Sequence, residues 1–208
     1  LKYATELSDS ARIIGAINTF YPLGDGKYYG TNTDWIGITE SFKNNGVYGS
    51  AMKGLIIGGG GTSRAAVYAF KQMGCKKIYM LNRTVSKLQE IKDSFPSDYN
   101  IEILDSSSVP NIENIDLVVS TVPANVDLDP EFTSNIRHVL SKGSGPKAFI
   151  EAAYKPLVTP LMTIANEEFM WNVIPGREML VNQGIAQFQE FCGIKPPYDE
   201  VFEAVTSE

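Results

Sequence analysis

Residues 55–63 read Leu-Ile-Ile-Gly-Gly-Gly-Gly-Thr-Ser, a short apolar run leading directly into four glycines. A continuous apolar stretch of strand length suits a strand covered on both faces, as in a parallel sheet. The glycines fit the pattern G-x-G-x-x-small that carries a strand through a tight turn into a helix. Gly58 permits the turn, Gly60 lets the backbone approach a pyrophosphate, and Ser63 is small enough for close packing of helix on strand. The helix that follows presents free N–H groups and the positive end of its dipole. Gly58, Gly60, Gly61, Thr62 and Ser63 are therefore candidate nucleotide-binding residues. A bare glycine turn is the plainer reading, but the strand before and the helix after supply the context that the nucleotide reading requires.

The rest of the chain repeats this rhythm. Apolar runs at 78–81, 101–104, 117–119 and 148–150 alternate with helix-like segments at 63–73 and 85–92, the latter ending by Phe95-Pro96. Such alternation predicts βαβ units with right-handed crossovers, hence a doubly wound, Rossmann-like α/β domain. Upstream, residues 13–19 read as a strand. The Asp25-Gly26 turn predicts a hairpin, and a helix over 35–43 is expected with Thr33 or Asp34 at its N-cap. Residues 123–145 are expected to be irregular around one short helix. Residues 171–174 suit a last strand, 176–192 a long helix, and 198–205 a short one.

The end of the second strand discriminates between nucleotides. An NAD site usually places Asp or Glu about 20 residues after the glycines, on the ribose 2′-hydroxyl. Here the sequence is Leu81-Asn82-Arg83-Thr84 with Lys87 one turn on, and no carboxylate. Arg83 suits a 2′-phosphate, Asn82 and Thr84 can donate to it, and Lys87 adds charge. Charge-assisted bonds of about 1.5–3 kcal/mol would favour NADP(H) over NAD(H) by about 10- to 150-fold. A solvated helix start is the alternative, but cations at a helix N-terminus oppose the dipole and call for a compensating anion.

Several classes are disfavoured. With 24 acidic against 18 basic side chains, nucleic acid is not the expected partner. No apolar run is long enough for a membrane span. One histidine and two cysteines give no metal-site spacing and no disulfide framework, which suits a reducing, cytoplasmic compartment. No G-x-S-x-G elbow accompanies His138. The chain begins at Leu1 and reads as a piece of something longer.

Taken in order, six segments resemble the shikimate dehydrogenase family: I-G-A-I-N-T at 14–19, G-T-N-T-D-W-I-G at 30–37, I-G-G-G-G-T-S-R at 57–64, N-R-T at 82–84, Y-K-P-L-V-T-P-L at 154–161 and G-R-E-M-L-V-N-Q-G at 176–184. The chain is especially similar to the shikimate dehydrogenase domain that ends the fungal pentafunctional AROM polypeptides. The resemblance implies reversible, NADPH-dependent reduction of 3-dehydroshikimate to shikimate, with the other AROM domains as covalent partners. It implies substrate contacts from Asn18, Asp34, Tyr154 and Gln183, with Asp34 also partnering a catalytic lysine. Thr121 and Gly176 join the expected cofactor-binding set.

Two departures stand out. The family's catalytic lysine and its serine pair for the substrate carboxylate belong to an N-terminal region of which only the tail is visible. None of Lys2, Lys27 or Lys53 has the lysine's context. The aspartate usual three residues before the tyrosine is Glu151 here. The expected layout is a tail of the substrate domain over 1–33, an NADP domain over 34–175, and helices returning to the substrate domain over 176–208. The truncated part is expected to expose apolar surface, and the chain alone to bind NADPH while turning over very slowly. Two alternatives are an NAD-linked quinate/shikimate dehydrogenase, which Asn82-Arg83-Thr84 disfavours, and a non-catalytic protein like the quinate-pathway repressors, which the retained Asp34 and Gln183 disfavour.

Overall fold

The computed structural model describes residues 3–48, 51–124 and 128–207. Lys2 and residues 125–127, the latter within the segment expected to be irregular, lie outside the described residues. Two sheets organise the chain. The larger has six parallel strands: β4 (Lys53–Ile57), β5 (Lys77–Leu81), β6 (Ile101–Leu104), β7 (Ile115–Ser120), β8 (Gly143–Glu151) and β9 (Asn172–Ile174). Their spatial order is β6-β5-β4-β7-β8-β9, so the chain starts in the middle, works to one edge, and returns to build the other. This is the doubly wound order of a dinucleotide-binding sheet.

Each strand is apolar on both faces because both faces are covered. Leu55 and Ile57 point to one face and Ile56 to the other, and Val118 opposes Leu117 and Val119 in the same way. The helices α2 (Asp34–Asn44), α3 (Gly61–Gln72) and α4 (Val85–Ser94) cover one face, with Phe42, Phe70 and Leu88 fully buried. On the other face, α5 (Pro130–Ser141) and α6 (Pro160–Thr163) bury Ile136, Val139 and Leu161 around Trp171. Gly54 of β4 has no side chain because the Phe70 ring occupies that space: a Cβ there would lie 2.5 Å from the ring.

The smaller sheet orders β1 (Glu6–Leu7), β3 (Lys27–Thr31) and β2 (Thr19–Gly24), with β2 and β3 forming the hairpin expected at Asp25-Gly26. Phe20, Leu23 and Tyr28 are exposed on it, as are Phe188, Phe191 and Ile194 at the end of α7 (Gly176–Cys192) and just beyond. A last helix, α8 (Tyr198–Thr206), packs on α7. Among the described residues, no helix is long and apolar enough to cross a membrane.

Two expectations are corrected. Ile13 and Ile14 do not begin a strand; they end α1 (Asp9–Ile14), whose N-terminus is capped by Ser8 and whose C-terminus is closed by Gly15 in the left-handed conformation at φ 71°. The helix within 123–145 is not short: Asp129 caps twelve helical residues opened by Pro130. Thr33 is the N-cap of α2, one of the two expected positions; its hydroxyl makes no capping bond, and the Asn32 side-chain Oδ1 accepts the Asp34 N–H at 3.0 Å.

Arg64 joins the two parts. From α3 its Nε donates to the Ile14 carbonyl at 2.8 Å, its Nη2 donates to Ser94 Oγ at 2.8 Å, and the guanidinium lies over the Phe95 ring. The fit of Phe70 on Gly54 yields a first prediction. Gly54→Ala should cost about 1–3 kcal/mol, the usual penalty for overpacking a core. Urea unfolding of the purified chain measures it, and an unchanged midpoint would contradict the packing described here.

Candidate active site

β4 and β7 are neighbours, yet the chain leaves their C-terminal ends toward opposite faces, opening a crevice between them. The turn after β4 is fixed by two hydroxyls. Ser63 Oγ accepts the Gly60 N–H at 3.0 Å and lies 2.7 Å from Thr121 Oγ1, which donates to the Ile57 carbonyl at 3.1 Å. Gly58 sits at φ 126°, and a Cβ there would overlap Thr121 Oγ1. Around Gly60 there is open space, so ligand atoms can reach its backbone.

A groove of about 300 Å³ runs from this turn along the end of β5. Gly58, Gly60, Asn82, Arg83, Thr84, Lys87 and Thr121 all line it. Arg83 and Lys87 are exposed, and neither makes a hydrogen bond or ion pair among the described residues. Asn82 donates to the Thr84 carbonyl at 3.1 Å, which shapes the approach to α4. The carboxylate in the groove, Asp129, is engaged in capping α5 through the Phe132 N–H at 2.8 Å. Glycine backbone, free cations and a helix N-terminus together suit a phosphorylated dinucleotide.

Four residues of the expected cofactor set sit elsewhere. Ser63 is fully buried beneath the turn. Gly61 begins α3 and faces Ala16. Thr62 and Gly176 line a second pocket, of about 240 Å³, rather than the groove. A Cβ on Gly176 would overlap the Ala153 carbonyl, so this glycine lets α7 start hard against the end of β8.

The second pocket gathers Asn18, Asp34, Tyr154 and Gln183, residues scattered over most of the sequence. The Asn18 amide is held from both ends. Its Oδ1 accepts from the Thr33 N–H at 2.8 Å and from Thr19 Oγ1 at 2.9 Å; its Nδ2 donates to Asp34 Oδ1 at 2.7 Å and to Gln183 Oε1 at 3.4 Å. Asp34 is largely desolvated, which pushes its pKa above the ordinary carboxylate value, while the Asn18 donor pulls it back. Its Oδ2 makes no hydrogen bond among the described residues. Gln183 reaches this cluster because α7 crosses α2 at Gly37, where a Cβ would lie 2.9 Å from the Met179 carbonyl. No lysine among the described residues lines the pocket. Lys27 pairs with Glu6, and Lys53 hydrogen-bonds Asn114 at the opposite end of the sheet.

Two further residues belong here. Gln187 lines the pocket one turn beyond Gln183 and donates to Thr19 Oγ1 at 3.1 Å, extending the network that orients Asn18; its i+4 spacing from Gln183 is the signal that places it on the same helix face. Glu151, at the end of β8, is 1% exposed, and burial pushes its pKa to about 7.

The comparisons with known proteins agree with this geometry. The family described as Shikimate / quinate 5-dehydrogenase matches residues 44–146, and the Shikimate 5'-dehydrogenase C-terminal domain matches residues 176–206. A shikimate dehydrogenase structure from Aquifex aeolicus is 30% identical, with a TM-score of 0.79, and the chain covers 73% of it. The chain belongs to the shikimate dehydrogenase family. The Pentafunctional AROM polypeptide of Scheffersomyces stipitis is 53% identical over 220 residues, all of this chain and 14% of that protein. The structure of dehydroquinate dehydratase and shikimate dehydrogenase from S. pombe AroM is 42% identical with a TM-score of 0.84, covering 98% of this chain and 40% of that one.

Glu151 gives a pH-dependent prediction. In the unfolded chain it loses its proton near 4.5, whereas in the folded chain it keeps it until about 7. Between these values the native state holds more protons, so its stability falls as pH rises through the window and levels off above it. The stability difference between wild type and Glu151→Gln should therefore shift against the wild type from pH 5 to pH 8. Parallel pH profiles in denaturant titrations would contradict the assignment.

Proposed function

We propose that this chain supplies the cofactor site and part of the substrate site of an enzyme that reversibly reduces 3-dehydroshikimate to shikimate with NADPH. The observation that carries the reading is the pair of free cations, Arg83 and Lys87, at the end of a groove that begins in the glycine turn. A 2′-phosphate there meets a guanidinium fork and an ammonium, and no carboxylate in the ribose-binding position opposes it.

The cofactor's chemistry is hydride transfer to and from the substrate carbon. The chain's own residues bind and orient. Gly58 and Gly60 leave backbone room for the pyrophosphate, Asn82, Arg83, Thr84 and Lys87 hold the adenosine end, and Thr121 forms the groove wall. Thr62 and Gly176 line the second pocket, at the start of α3 and of α7. In that pocket Asn18 and Gln183 present amides to the substrate's hydroxyl groups. Asp34 offers a free carboxylate oxygen to a substrate hydroxyl and to the catalytic lysine that the family resemblance implies. A carboxylate beside an ammonium keeps both ionised and aligned, as proton transfer to the carbonyl oxygen requires.

Full-length similarity to one segment of the pentafunctional polypeptides supports a chain that works covalently joined to other domains. Both cysteines are free, buried Cys75 and exposed Cys192, which suits the cytoplasm. The test is a fluorescence titration of the Arg83→Ala variant. Removing the charge-assisted bonds should weaken NADPH by about 10- to 150-fold while leaving NADH nearly unchanged. Equal losses for the two cofactors would overturn the 2′-phosphate assignment.

A further inference from the structure

The segment linking β8 to α6, residues 152–159, carries Tyr154 into the second pocket, yet little apolar packing holds it there. Leu157 is 54% exposed and Val158 is 63% exposed, and Tyr154 itself is half out. A segment without buried apolar contacts keeps one conformation only if polar contacts fix it.

A single carboxylate does this. Glu151 Oε1 accepts the Ala153 N–H at 3.2 Å, at the start of the segment, and Oε2 accepts from Thr159 Oγ1 at 2.9 Å, at its end. The same Thr159 hydroxyl accepts the Met162 N–H at 3.2 Å and caps α6. The buried Ser120 hydroxyl is directed at the same carboxylate and favours its ionised form. On the other side, Gly176 backs directly onto the Glu151 and Ala153 carbonyls. The two ends of the segment are thus pinned to one buried side chain.

We propose that Glu151 is a positioning residue that closes the 152–159 segment and thereby holds Tyr154 against the substrate pocket. It lines neither the groove nor the second pocket. The inference rests on the substrate-pocket reading above, and only for its kinetic consequence. Once ionised, above pH about 7, the carboxylate accepts at both oxygens, and there Glu151→Gln, which replaces one acceptor with an NH2 group, opens one end.

The test combines amide hydrogen exchange over residues 152–159 with steady-state kinetics on the full polypeptide. Glu151→Gln should speed exchange in that segment by about tenfold and raise the shikimate KM by about tenfold, with the NADPH KM changed less than about twofold. In a Tyr154→Phe background, Glu151→Gln should add less than about twofold to the shikimate KM, because it acts through the tyrosine. Thr159→Val should reproduce the pattern if Glu151→Gln fails to fold, and Thr159→Ser should restore wild-type behaviour. Unchanged exchange, equal effects on both KM values, or effects that multiply in the double variant would overturn the proposal. A wild-type protein that does not act on shikimate at all would defeat the substrate reading, while the exchange data would still decide whether the carboxylate pins the segment.

Discussion

The whole arrangement depends on one topological constraint: β4 and β7 lie side by side but hand the chain to opposite faces of the sheet. Among the described residues this divergence leaves a groove of about 300 Å³ above their ends, where a ligand can enter. What makes the gap a shaped site is the fastening of its two rims. The Ser63 and Thr121 hydroxyls tie the turn after β4 to the end of β7: they lie within hydrogen-bond distance of each other, Ser63 Oγ accepts the Gly60 N–H and Thr121 Oγ1 donates to the Ile57 carbonyl. The third small residue of the glycine pattern thus acts by hydrogen bonding as well as by size.

The two pockets follow different physical rules. The groove is open, with glycine backbone and two cations that suit phosphates and with Val122, Leu128 and Phe132 as an apolar wall. The second pocket holds amides and one carboxylate locked into a network, with Thr19 and Thr33 behind the lining residues and Gln187 reaching from the pocket wall to Thr19. That outer layer fixes which end of the Asn18 amide points at Asp34. Reversing it would set an oxygen against a carboxylate and cost the cluster its central hydrogen bond.

The strands and the glycine turn were legible because their signals are local: unbroken apolar runs, and a pattern read within ten residues. The long helix after Pro175 was legible for the same reason. The first helix was hidden because Ile13 and Ile14, β-branched, suggest a strand, and the deciding signals, Ser8 and Gly15, are one residue each. The helix opened by Asp129-Pro130 carried its capping signal in plain view but lay in a polar stretch. The pocket residues Asn18, Asp34 and Gln183 were named from family resemblance, not from spacing, since what unites them is the crossing of α2 and α7. Nothing near Glu151 in sequence announces its role; that depends on Thr159 folding back to meet it.

Arg64 is a mechanical link between the two parts. Its guanidinium links the C-terminal end of α1, on the side of the small sheet, to Ser94 and Phe95 at the end of α4, on the side of the large one. Any movement that parted α1 from α4 would break the bond to the Ile14 carbonyl or the bond to Ser94, so a single side chain on α3 couples the backs of the two sheets.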